Sequence, residues 1–148
     1  MATKYAPQYA AGGDKALIDF LNGSPDFRTG EWQGYEGIDL NATIDLGETE
    51  MVKNVSINFL QDENSWIFMP DQVEFYSSTD GNKFNLFKTI KTKHNWKDSG
   101  NIIETFSADL NKNIRHLRII GRNQGDCPRG HKSAGGKCWI FADEITIK

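Results

Sequence analysis

Apolar residues in this chain recur at every second position, in short runs that stop at glycine or at an Asp-Gly pair. That period sets alternate side chains on opposite faces of an extended strand, and it constrains the fold more than any single motif does. Ala42, Ile44 and Leu46 alternate with Thr43 and Asp45 and stop at Gly47. Val55, Ile57 and Phe59 share one face of the next run, with Asn54, Ser56 and Asn58 on the other. Val73 and Phe75 alternate with Glu74 and Tyr76 as far as Thr79-Asp80-Gly81-Asn82, and Phe84, Leu86 and Ile90 resume the period beyond it. These two runs predict a hairpin, because a short Asp-Gly loop supplies the positive φ that its turn requires. Runs over 102–110, 114–121 and 138–147 follow, the last placing Trp139, Phe141, Ile145 and Ile147 on one face. The one helix candidate, 14–21, is short and flanked by glycine. Many short strands separated by turns predict a single all-β domain, a sandwich or a barrel.

A chain of 148 residues is long enough to bury a core without metals or many disulfides. Its net charge of -3, with both signs mixed, argues against nucleic acid as the partner, since phosphate recognition needs a concentrated basic surface. The densest basic stretch, 88–97, is broken by Thr, Ile, His, Asn and Trp and reads as a solvated loop. No apolar run is long enough to span a bilayer, and no signal-peptide core opens the chain. Met1-Ala2-Thr3-Lys4 therefore reads either as a cytosolic start or as the start of an excised domain. Cys127 and Cys138 bracket a polar, glycine-rich segment. One disulfide closing that loop would stabilise by about 3 kcal/mol and imply an oxidising compartment. A zinc site on Cys127, His131 and Cys138 is the sharper alternative, but paired Cys-x-x-Cys spacing and a fourth ligand are missing. Reduced thiols in a cytosolic protein are the third reading.

Catalytic chemistry finds little support. A glycosidase needs two carboxylates facing each other across a cleft. Asp143-Glu144 is such a pair by composition, yet neighbours in a strand point to opposite faces. Asp62 and Glu63 fall in a loop, where acids are usually just solvated. There is no G-x-S-x-G elbow, no H-E-x-x-H and no phosphate loop. His94, His116 and His131 are scattered, and His116 sits between the core residues Ile114 and Leu117.

Two loops carry aromatic residues that a core does not require. One is 61–70, containing Gln61, Asp62, Asn64, Trp66 and Phe68; the other is 30–37, containing Trp32, Gln33 and Tyr35. Sugar recognition needs a flat aromatic face for the C–H side of a ring, with amide, carboxylate and guanidinium groups for the hydroxyls. Trp66 with Asp62, Asn64 and Gln61, and Gln33 with Tyr35, have that chemistry. Trp66, Trp32 and Phe68 serve equally well as caps on the open end of a core. Near the start, Asp19, Ser24 and Asp26 gather hard oxygen donors in a turn-rich stretch, which suits either a calcium ion or Asx-turn capping.

The order of these pieces resembles a known family. Ala16-Leu17-Ile18-Asp19 leads through Asn22-Gly23-Ser24 to Trp32-Gln33-Gly34-Tyr35. Then come Ala42-Thr43-Ile44-Asp45-Leu46-Gly47, Val73-Glu74-Phe75-Tyr76-Ser77-Ser78-Thr79-Asp80-Gly81, Ile114-Arg115-His116-Leu117-Arg118-Ile119 and a closing Ala142-Asp143-Glu144-Ile145. This order is similar to the discoidin-like modules, or coagulation-factor type C domains, and to their bacterial relatives, the family-32 carbohydrate-binding modules. Asp26-Phe27-Arg28, Phe59-Leu60-Gln61-Asp62, Ser65-Trp66-Ile67-Phe68 and Trp139-Ile140-Phe141-Ala142-Asp143-Glu144 look most like the C-terminal module of bacterial family-20 β-hexosaminidases, or chitobiases. In those enzymes a separate barrel performs the hydrolysis, and this chain has no room for it.

The resemblance implies an eight-stranded jelly-roll β-sandwich of the galactose-binding-domain type, with one structural calcium. Carried over residue by residue, the metal ligands fall on Ala16, Asp19, Leu21, Ser24 and Glu144, with the Asp143 carbonyl in addition. Ser24 stands where the family more often has Thr. Galactose-binding members commonly have His after the Trp of the first loop, and Gln33 stands there, so N-acetylhexosamine is an alternative ligand. Lipid-binding relatives use apolar spikes from the same loops, but the acidic balance and the lack of a basic ring disfavour a membrane. The expectation is an exported, calcium-stabilised, non-catalytic module that carries a parent glycoside hydrolase to its glycan. The sugar would lie against Trp66 or Trp139, with polar contacts from Gln33, Tyr35, Asp62, Asn64, Arg122 and Asn123. The rival is a docking module that packs on the catalytic domain and binds no sugar.

Overall fold

The computed structural model describes residues 32–62, 65–92, 101–123 and 136–148. Ala16, Asp19, Leu21, Ser24, Asn64 and Cys127, like the helix candidate at 14–21, lie outside them. Six strands stand among the described residues: β1 (Gln33–Glu36), β2 (Leu40–Asp62), β3 (Gln72–Ser78), β4 (Asn85–Lys91), β5 (Asn101–Gly121) and β6 (Trp139–Ile147). They join in the order β1-β6-β2-β5-β3-β4, and every neighbouring pair is antiparallel.

The sheet becomes a sandwich because β2 and β5 are long enough to serve both layers. Their pairing runs from Leu40↔Gly121 to Asp62↔Asn101, with register shifts between Asp45 and Glu50 and between Val52 and Asn54. Gly47 (φ 88°) and Asn111 (φ 53°) lie on the two strands where this ribbon bends. Residues 48–51 are all exposed there, so nothing apolar resists the turn. The first arm of β2 and the second of β5 form one layer with β3 and β4; the other arms form the second layer with β6 and β1. Six strands thus stand among the described residues, and the expected count of eight extends to residues outside them. Two of the six carry runs that read in the sequence as separate strands.

The layers meet over Tyr35, Leu40, Val55, Ile57, Phe59, Val73, Phe75, Phe106, Leu117 and Ile119, all buried. Phe59 and Phe106 pack edge to face at 5.6 Å between ring centroids. A side chain at Gly121 would place its Cβ 2.9 Å from Phe59 Cζ, so this glycine allows the layers to close at that point. The expected hairpin forms between β3 and β4, with Gly81 at φ 79° in its turn. Asp80 accepts from the backbone N–H groups of Asn82 and Lys83 and from Ser78 Oγ, and these bonds hold its carboxyl at about 2, below the usual range.

Strand β6 departs from simple alternation. Ile57 faces Ile145 while Phe59 faces Ala142, so Asp143 and Glu144 together oppose the single residue Asn58. This is a β-bulge, and the extra residue moves the following side chains to the other face. Trp139 and Phe141 consequently pack in a cluster with Trp32, Leu60 and Ile67, while Ile145 and Ile147 join the main core. The single apolar face read from the sequence of this strand is thus split in two.

Candidate functional site

The chain leaves the sandwich at two ends. The bend end carries residues 45–52, 78–85 and 110–116; the loop end carries 36–40, 62, 65–72, 121–123 and 136–139. Most residues expected to contact sugar fall at or beside the loop end, but in different settings.

The 62–67 loop closes on itself. Asp62 and Ile67 exchange both backbone hydrogen bonds, at 2.9 and 3.1 Å, and Ser65 Oγ donates to Asp62 Oδ2 at 3.1 Å. The loop is then stitched to β6: Trp139 N–H donates to the Trp66 carbonyl at 2.9 Å, and Phe68 N–H to the Trp139 carbonyl at 3.0 Å. Phe68 and Ile67 are buried, which carries the loop into the body of the domain. Trp66 stays out, with 41% of its surface exposed, and its backbone sits at φ 65°. A bulky side chain in that left-handed region costs about 1–2 kcal/mol and is rare. Such strain concentrates at binding and catalytic positions. Trp139, half-buried, stands edge to face against Phe141 at 5.8 Å. Asp62, Ser65, Trp66 and Trp139 are thereby brought into one neighbourhood by backbone bonds.

The 32–36 segment behaves in the opposite way. It forms β1 against β6, and Trp32, Gln33 and Tyr35 are exposed by 1% or less. Tyr35 Oη donates to Gln33 Oε1 at 3.1 Å inside the core. Gln33 and Tyr35 therefore underlie the loop end and do not reach solvent, which corrects their expected role as sugar contacts. Gln61 is also buried and accepts from Met69 N–H.

Arg122 and Asn123 are committed to the scaffold. Arg122 donates to both Glu74 oxygens, at 2.7 and 2.9 Å, and to Asp39 Oδ2 at 3.0 Å. The Arg122 guanidinium holds the Glu74 carboxyl at about 2, with further bonds from Tyr76 and Gln72 acting the same way. Asn123 Nδ2 donates to the Tyr35 and Cys138 carbonyls, and its N–H donates to Asp39 Oδ1. These two residues tie the start of β2, the end of β5 and the start of β6 together. That is a positioning role, and the Arg122 side chain remains 43% exposed.

Two residues of the loop end were missed in the sequence: Ile38, 44% exposed, and Lys137, whose side chain lies over Gly37. Neither belongs to an alternating run, so periodicity carries no signal for them. Cys138 is buried, and its carbonyl accepts from Gly37 N–H. Among the described residues, no three of His, Cys, Asp and Glu converge as a metal site. Asp143 and Glu144 are nonetheless buried, at 1% and 4% exposure, and the bulge lifts the rule that adjacent strand carboxylates diverge.

Comparison with known proteins places this geometry. A family model for the F5/8 type C domain matches residues 2–138. A search of curated proteins returns no match. Among solved structures, the chain is similar to a family-32 carbohydrate-binding module produced by Clostridium perfringens, in complex with GlcNAc-α-1,4-galactose. The TM-score is 0.58 at 10% identity, covering 99% of this chain and 86% of that one. It is similar as well to the lectin domain of lectinolysin complexed with Lewis B antigen, with TM-score 0.59, 11% identity and coverage of 99% and 88%. The family-32 module of C. perfringens NanJ, in complex with galactose, follows at TM-score 0.56 and 14% identity, covering 98% and 88%. Against one solved glycoside hydrolase the chain spans only 20% of that protein's length. At these identities the structures speak to the fold alone, and with the family match across nearly the whole sequence they lead to one conclusion: the chain belongs to the F5/8 type C, or discoidin-like, domain family.

Proposed function

We propose that this chain is a non-catalytic carbohydrate-binding module whose sugar site is the loop end around Trp66. The observation that carries the reading is the exposed Trp66, held at φ 65° by the backbone bond from Trp139 and flanked by Asp62 and Ser65. Its indole offers a platform for the C–H face of a pyranose, and the Asp62 carboxylate accepts from ring hydroxyls. The glycan-bound relatives support the class of ligand. Affinity for a monosaccharide is in the millimolar to high micromolar range, since one half-exposed aromatic buries little surface.

Two finer assignments belong to this proposal. The module serves an exported glycoside hydrolase of β-N-acetylhexosaminidase type. A calcium ion is held by Asp143 and Glu144 with the earlier ligands Ala16, Asp19, Leu21 and Ser24. Asp143 and Glu144 are buried hard-oxygen donors, so the pair is chemically suited to calcium. Calcium would neutralise the pair and join the N-terminal segment to β6. Isothermal titration against a panel of N-acetylhexosamine- and galactose-containing glycans tests the reading. Saturable binding that Trp66→Ala weakens tenfold or more is expected; no binding across the panel by a folded, calcium-supplied chain would favour the docking module instead.

A further inference from the structure

The bend end carries a cleft of about 130 Å³, remote from the Trp66 loop, between the β3–β4 turn and the bent ribbon. Ile114, Ser78 and Ser77, exposed by 1%, 3% and 4%, are its most buried lining residues. Thr79 and Asn85 line it from the hairpin, and Lys83 and Lys112 bring two ammonium groups from the hairpin and from β5. Among the described residues neither lysine forms an ion pair, and the side chains of Ser77, Thr79 and Asn85 have no hydrogen-bond partner. The two arginines nearby are engaged: Arg115 is paired with Asp45 at 2.9 Å, and Arg118 lies over the Phe84 ring at 4.1 Å.

One negative group lines the same cleft. Asp80 Oδ1 accepts from Ser78 Oγ and from the N–H groups of Asn82 and Lys83, so the turn already offsets part of its charge. The lining itself thus carries two ammonium groups against one partly neutralised carboxylate, with Glu48 and Glu50 on the neighbouring bend. The hairpin geometry also holds the wall in place. Ser78 Oγ accepts from the N–H groups of Asp80 and Gly81, and a side chain at Gly81 would collide with His116 Nε2 at 2.9 Å.

From this we infer that the bend-end cleft is a second binding site, for a small oxyanion such as the carboxylate or sulfate ester of an acidic sugar. Its volume is that of about four waters, which suits a sulfate or carboxylate group and not an oligosaccharide. Hydroxyl and amide donors from Ser77, Thr79 and Asn85 complement the two ammonium groups, as charge-assisted recognition of an oxyanion requires. The site is independent of the sugar site at the loop end.

The test is a two-dimensional NMR titration of the full chain at low ionic strength, with sodium sulfate, N-acetylglucosamine 6-sulfate, glucuronic acid and uncharged N-acetylglucosamine, using sodium chloride as control. Saturable shifts at residues 77–85 and 112 are expected with the anions, and not with chloride or the neutral sugar. The K83Q/K112Q variant should keep its fold and weaken sulfate binding at least tenfold. Tighter binding of the sulfated sugar than of sulfate would identify an acidic glycan as the source; equal binding would identify free oxyanion. No saturable shift with any anion, or shifts that persist unchanged in the variant, would overturn the inference. Shifts at Trp66 with uncharged sugar report the loop-end site separately, so either site can fail alone.

Discussion

The two aromatic segments, 32–36 and 62–67, each carry a tryptophan among polar residues and have opposite fates. The first is caught as strand β1 on the edge of β6, and Trp32, Gln33 and Tyr35 all disappear into the domain. The second joins no long strand pairing; it closes on itself between Asp62 and Ile67 and leaves Trp66 exposed in a strained conformation. An aromatic in such a segment is thus buried or left exposed according to how its backbone meets the neighbouring strand. Residue type alone does not decide.

Substitutions can break this contrast. Trp32→Ala should destabilise by about 3–5 kcal/mol in chemical denaturation, because it leaves a large cavity beside Leu60, Ile67 and Phe141. Trp66→Ala should stay within about 1 kcal/mol of the native chain. Equal losses at the two positions would erase the distinction between them.

Arg122 extends the comparison to a residue first expected to touch sugar. Glu74 titrates at about 2 in the folded protein against 4.5 ordinarily, so its ionised form stabilises the fold. That contribution is complete above pH 4.5 and lost as pH falls toward 2. Glu74→Gln should therefore cost about 2 kcal/mol at neutral pH, with the gap from the native chain closing near pH 2. A gap independent of pH would mean that the Arg122–Glu74 pair does not hold the loop end.

Smaller effects sharpen the contrast. If φ 65° at Trp66 is strained, Trp66→Gly should be more stable than Trp66→Ala by about 1 kcal/mol in thermal unfolding. Tyr35→Phe, which removes only the bond to Gln33, should cost about 1 kcal/mol and leave glycan affinity unchanged. A loss of affinity without a loss of stability would return Tyr35 to the sugar site.

Much of the fold was legible because period-two alternation and the Asp80-Gly81 turn act locally. The β3–β4 hairpin stands where Val73, Phe75 and the turn placed it, but a register shift exposes Leu86 and packs Phe87 against the core in its stead. The continuity of β2 was not legible, since the exposed run from Gly47 to Met51 interrupts the apolar pattern while the strand continues through it. Nor was the bulge, because the extra residue at Asp143-Glu144 leaves no mark in composition and becomes visible only against Asn58. At the candidate site, Trp66 and Asp62 lay in a loop that chemistry singled out, whereas Trp139 read as part of the last strand. Gln33 and Tyr35 misled because four residues are too few for alternation to reveal a strand. The scaffold bonds of Arg122 and Asn123 were not legible because their partners Asp39 and Glu74 are distant in sequence.

The most direct test of the central claim is an NMR titration of the chain, with calcium present, against N-acetylglucosamine, N-acetylgalactosamine and galactose, following the four Trp indole N–H signals. The account predicts saturable shifts at Trp66, and at Asp62, Ser65 and Trp139 beside it, with Trp32 unmoved. A flat Trp66 in a folded chain, or shifts centred on another face of the sandwich, would contradict it.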